Sequence, residues 1–243
     1  MRIIEGGTLM NNFDEQPRRV INADVGLNKF LTKMYGWMAV AVLLSAVAAL
    51  YVTTTPSLMS LFTGSYRIVP IIVWFVFPFL VSGQAMKRPA VSFVLLMVYA
   101  LLTGGILSMY ALVYTGTTIA SAFVSSSTIF IAMAVYGVAT KRDLSRIGAQ
   151  ATSALIALIV AFLINIWLKS SLIAFVFSII GVVIFTALTA SDSQKMKRFY
   201  LQSDGGATTS TGLAIIGAMQ LYLDFVNLFI LLLQIFGGMG DRD

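Results

Sequence analysis

Seven apolar stretches of about twenty residues, separated by short polar breaks, dominate this chain: 35–52, 68–85, 90–111, 117–139, 149–168, 172–190 and 213–236. An α-helix rises about 1.5 Å per residue, so each stretch suits a hydrocarbon core of roughly 30 Å. In lipid the backbone must satisfy its own hydrogen bonds, which a helix does within one segment. The pattern predicts an all-α polytopic membrane protein with seven transmembrane helices. Composition agrees, with 58% hydrophobic and 11% charged residues and a mean hydropathy of +0.91. Pro70 and Pro78 interrupt the second stretch, marking it as the span expected to kink and move.

The basic residues orient the spans. Thirteen of the sixteen fall in the N-terminal segment and in alternate breaks: Lys87 and Arg88, then Lys141, Arg142 and Arg146, then Lys195, Lys197 and Arg198. Arg67, Lys169 and Arg242 are left for the other side. The positive-inside rule then places the N-terminus in the cytosol and the C-terminus outside. Residues 1–30 read as a cytosolic N-terminal tail, 31–237 as the transmembrane domain and 238–243 as a short external tail. In such a chain a net charge of +6 sets orientation and meets anionic lipid headgroups rather than nucleic acid.

The chain has no Cys and no His. That excludes disulfides, thiolate nucleophiles and the usual zinc and haem ligand sets. No metal centre and no cofactor are expected. Proton sensing between pH 5 and 8 falls to carboxylates in unusual surroundings. Eight of the ten acidic residues lie in tails or loops; Asp192 and Asp224 do not.

Asp224 is the only charge between Leu213 and Phe236. A charge at a helix centre in lipid costs roughly 2.5–3.5 kcal/mol on the lenient insertion scale. The residue must face protein or water, find a partner, or hold a proton. Gln220 and Asn227 share its helix face, a polar stripe that should point into the bundle. Asp192 follows the apolar part of the sixth stretch, three residues before Lys195, and reads either as an interfacial ion pair or as a functional group. Lys87 and Arg88 end the second stretch, where topology alone would explain them. Gly104 and Gly105, with Ser125, Ser126, Ser127 and Thr128, are small residues that let helices approach closely. Residues 203–212 (SDGGATTSTG) read as a flexible loop.

The segment TALTASDSQKMK, followed by LYLDFVNLFILLLQIFG, closely resembles the signature of the Bax inhibitor family. KMYGWMAVAVLLSAV, YGVATKRDLSRIG and INIWLKS are similar to its bacterial members, and the likeness runs from about Leu31 to Gly237. The resemblance implies a seventh helix at the centre, wrapped by two three-helix layers, in a bacterial inner membrane. It implies a pH-sensitive leak of cations, notably calcium, with no enzymatic activity. Asp192 and Asp224 stand at the positions of the family's carboxyl pair. Arg88 or Lys87 stands at that of a basic residue tied to it. Ser191 occupies a place where the family often has Tyr.

Two carboxylates within hydrogen-bond reach cannot both ionise cheaply, so they tend to share one proton. Counting residues puts Asp192 near the inner membrane boundary and Asp224 about 16 Å beyond Leu213. The two meet only if the seventh helix starts deeper than a lipid-facing span would. Calcium prefers several oxygen ligands, and few are available inside, so contacts with calcium or other cations should be transient. The leading expectation is a pH-gated cation leak channel. The alternative is an interaction protein modulating a membrane protease or other membrane machinery through a membrane-protein partner. Paired Asp residues also suggest an intramembrane protease, but Ser191-Asp192 and Leu223-Asp224 lack the Tyr-Asp and Gly-x-Gly-Asp motifs. A proton-coupled transporter is a further possibility.

Overall fold

The structure, a computed structural model, describes residues 12–64, 67–203 and 207–240. Its helices are α1 (Asn12–Thr54), α2 (Pro56–Thr63), α3 (Ile68–Ala85), α4 (Pro89–Leu107), a 3-10 turn (Ser108–Leu112), α5 (Gly116–Ala139), α6 (Ser145–Leu168), α7 (Ser171–Gln202) and α8 (Ala207–Gly240). Seven of the described helices are long and apolar enough to cross a membrane. The chain is an all-α integral membrane protein.

Helix ends differ from the apolar boundaries where polar residues continue a helix into the interface. α1 reaches back to Asn12, through much of the expected tail, and residues 1–11 lie outside the described residues. α7 runs twelve residues past Ala190 to Gln202, and α8 starts at Ala207, six before Leu213. Most of the expected loop is therefore helical; residues 204–206 lie outside the described residues, as do 241–243 of the external tail. Pro70 sits in the first turn of α3, where its missing N–H was unpaired anyway. Pro78 lies inside α3 and deprives the Trp74 carbonyl of its helical donor. Between α6 and α7, Lys169 takes the left-handed conformation (φ 51°) while Asn165 bonds both the carbonyl and the N–H of Ser170.

α4 packs between α1 and α3, and α7 packs between α5 and α6. α8 lies against α1, α3, α4, α5 and α7. Its span is 72% buried, against 11% for those of α3 and α6. Lipid is as apolar as a leucine face, so packing and polar groups choose which helix goes inside. α8 carries Gln220, Asp224 and Asn227, whose exposure to lipid would be costly.

Ser45 ties three helices together at mid-depth. Its hydroxyl lies 2.6 Å from the Tyr222 hydroxyl of α8 and 2.8 Å from the Ala100 carbonyl of α4. α1 and α4 come this close because Gly104 has no side chain; a Cβ there would run into the Ser45 carbonyl and Ala48.

Candidate ion-handling site

The register between α7 and α8 decides where the carboxylates fall. Ser178 donates to Gln234 at 2.7 Å, Gly181 abuts Leu231, and Met196 abuts Gly217. Along this antiparallel pair Gln220 stands level with Asp192. Asp224 lies one turn further in, an axial offset of about 5–6 Å. Its neighbours fix its depth. Tyr222 packs edge-on against Tyr99 of α4, and Phe225 meets Phe123 and Phe130 of α5. Asp224 is thus near the middle of the bundle, with Asp192 nearer the end that carries the basic breaks.

Both carboxylates are buried, at 8% exposure for Asp192 and 4% for Asp224. Asp224 lies within the field of Asp192, and the Lys195 ammonium acts on both. The Gln220 amide of α8 stands beside Asp192. Asp224 Oδ2 is fully buried without a hydrogen-bond partner among the described residues, a costly state for a carboxyl oxygen.

Asp192 also lines a cavity of about 440 Å³ between α6 and α7, whose wall includes Ser145, Ser191, Gln194, Lys195 and Arg198. Asp224 is not on that wall; it sits behind Asp192. Arg198 is clasped at the mouth, 2.6 Å from Asp143 and 2.6 Å from the Ser145 hydroxyl, and it also donates to Gln194. Gln194 in turn accepts the Leu144 N–H and donates to the Arg142 carbonyl, both at 2.8 Å, which pins the α5–α6 turn to α7. The Ser145 N–H and the Arg198 guanidinium hold the Asp143 carboxyl down at about 2, so the clasp stays charged at any ordinary pH.

From Asp224 toward the opposite end, α8 buries Leu228, Leu231, Leu232 and Leu233 over about 14 Å. A second, half-buried stripe on α8 carries Gln220, Asn227 and Gln234. Asn227 donates to the Leu223 carbonyl of its own helix rather than to either carboxylate.

The structure does not bring Lys87 or Arg88 to the pair. Both are exposed, and neither has a hydrogen bond or ion pair to Asp192 or Asp224 among the described residues. The reason is axial distance. The end of α3 meets the first turns of α8, where Gly212 abuts the Ala85 carbonyl. Asp224 lies twelve residues beyond Gly212, about 18 Å along the axis. The sequence had offered Lys195 only as a local partner of Asp192. Arg198 enters the sequence reading only as an orienting charge, and Gln194, Ser178 and Gln234 do not enter it, although Gln234 follows Asn227 by seven residues and so extends the same helix face.

Residues 27–241 match the family described as inhibitor of apoptosis-promoting Bax1. The chain is similar to the inner membrane protein YbhL of Escherichia coli K12, at 40% identity over 230 residues covering 92% of this chain and 98% of that one. It is similar to an uncharacterised membrane protein of Streptococcus pyogenes serotype M3, at 40% identity over 88% of this chain and 95% of the relative. An uncharacterised protein of Rickettsia prowazekii is 39% identical over 90% of this chain and 93% of its own. With a buried carboxyl pair on its last two spans and the family match across nearly its whole length, the chain belongs to the Bax inhibitor family of membrane proteins.

Proposed function

We propose that this protein is a pH-sensitive cation leak channel, permeable to calcium, in which the Asp192–Asp224 pair is the gate. The observation that carries the reading is the placement of two buried carboxylates in series: Asp192 on the wall of a cavity, Asp224 one turn behind it. A cation entering from the basic end meets Asp192 first. It then needs Asp224 and the α8 stripe of Gln220, Asn227 and Gln234 to continue. These few oxygens fall short of the six to eight that hold calcium tightly, which suits passage rather than storage.

The pair holds one proton when the path is closed, because two adjacent buried carboxylates cannot both ionise cheaply. Lys195, rather than Lys87 or Arg88, is the counter-charge that permits the remaining negative charge. Opening requires the apolar segment from Leu228 to Leu233 to separate from its neighbours, and α3, interrupted at Pro78, is the element suited to move. The basic end faces the cytosol, with the N-terminus inside.

The test is calcium flux into proteoliposomes holding only the purified protein, measured against pH. Flux that varies with pH and flattens in Asp224→Asn supports the gate. Absence of flux, with a stable membrane-protein partner on co-purification, would instead favour the interaction role.

A further inference from the structure

We propose that the cleft between α1 and α5 is a binding site for an anionic phospholipid, with an acyl chain in the cleft and the headgroup at its basic end. Among the described residues, α1 and α5 both rest on α8 but do not form a packed pair with each other. Between them lies a cleft of about 580 Å³ walled by Met38 and Val42 of α1 and by Phe130 and Ala134 of α5, with Phe225 of α8 as floor. A second hollow of about 490 Å³ continues it toward the opposite end, sharing Val42, Phe123 and Phe225. The floor is buried, whereas Leu43, Ile131 and Val135 at the rim are each 62% exposed. Because every one of these residues lies within a membrane span, the mouth opens sideways into hydrocarbon.

Length and charge identify the occupant. The α1 wall of the first hollow runs about 12 Å from Tyr35 to Leu43 and its α5 wall about 24 Å from Phe123 to Ala139, which brackets the roughly 15 Å of one leaflet's hydrocarbon. At its basic end the Lys197 ammonium donates to the Val138 carbonyl at 2.8 Å, on the cleft wall itself. Lys29, six residues before Tyr35 on α1, and Lys141, two residues past Ala139 of α5, are both exposed. Three ammonium groups at the end of α1, α5 and α7 beyond an apolar slot match a phosphate-bearing headgroup above an acyl tail. The α6–α7 cavity is no rival for an acyl tail, since Ser145, Asp192, Gln194, Lys195 and Arg198 make its wall polar.

The full chain is reconstituted with trace phosphatidylglycerol carrying a diazirine in its acyl tail, or with phosphatidylcholine so labelled. Adducts are mapped by mass spectrometry after illumination. Phosphatidylglycerol adducts should concentrate on Met38, Val42 and Ile131 over the lipid-facing Ile159 and Leu163 of α6. Lys29→Gln and Lys141→Gln should each reduce that enrichment by up to about fivefold. Ala39→Phe and Ala139→Phe, both at exposed wall positions, should block the slot without touching the core. Three results would overturn the proposal: uniform labelling of all lipid-facing residues, equal enrichment with phosphatidylcholine, or an unlabelled cleft that cross-links to a second copy of the chain.

Discussion

Gly148 of α6 rests directly on the Ser191 hydroxyl of α7, so that a Cβ at Gly148 would collide with it. Gly137 of α5 presses in the same way on the Ala190 carbonyl. The turn of α7 that presents Asp192 is therefore seated between two glycines. The Gly148 contact leaves no space at Ser191 for a larger group.

Gly148→Ala should destabilise the protein by about 1–3 kcal/mol, the usual cost of overpacking. Ser191→Gly on top of it should restore part of that loss, since residues in contact are non-additive. Thermal unfolding of the four proteins in detergent gives the coupling. Strictly additive effects would mean that α6 simply moves aside.

Lys195→Gln should displace the pH profile of flux, whereas Lys87→Gln and Arg88→Gln should not. Lys195 is the cation in the field of both carboxylates, and its loss makes the ionised pair harder to reach. The midpoint should move to higher pH, by a few tenths of a unit to about one unit given its exposure. A shift from Arg88→Gln with none from Lys195→Gln would return the role to the end of α3.

The spans were legible because seven runs of apolar residues leave lipid-facing chain no alternative to helix. Asp224 was legible because a lone carboxylate in such a run is costly. What the residues could not convey was register. Hydropathy ends the sixth span at Ala190, although the helix continues through polar Ser193 and Gln194 because both pack inside, which carries Asp192 into the bundle. Lys87 and Arg88 are near Asp192 in no linear sense, and only the meeting of Ala85 with Gly212 reveals how far they lie from Asp224. The cavity and its Arg198–Asp143 clasp depend on two helices and the turn before α6 at once, beyond what one helix face can disclose.

That clasp should not be the pH sensor. The folded-state value for Asp143 is lowered from 3.8 to about 2, so any stability it contributes is fully present above 3.8. It is lost only as pH falls through about 2. The difference in melting temperature between the parent and Asp143→Asn should therefore be constant from pH 5 to 8. A difference that changes within that window would show that another titrating group shares the clasp.

The orientation has a direct test, since the chain contains no natural cysteine. A Cys at Ser203, at the α7 terminus, should resist an impermeant maleimide in intact cells and react once the membrane is opened. One at Thr115, which caps α5 by accepting the Thr118 N–H, should react from outside. Reversed labelling would invert the bundle and place the cavity mouth on the external side.

The pair itself offers the sharpest expectation. If one proton is shared, each carboxylate alone is insufficient, because the titration belongs to both together. Asp224→Asn retains size and hydrogen bonding while removing ionisation, so calcium flux should become nearly independent of pH between about 5 and 8. Asp192→Asn should do the same despite its different surroundings, one residue lining a cavity and the other sealed behind it. The double variant should then add little, as strongly coupled sites are non-additive. Independent sites would instead give partial flattening by each change and a sum in the double. Two single variants with the parent's pH profile would sink the gate and leave Asp224 as a buried structural acid.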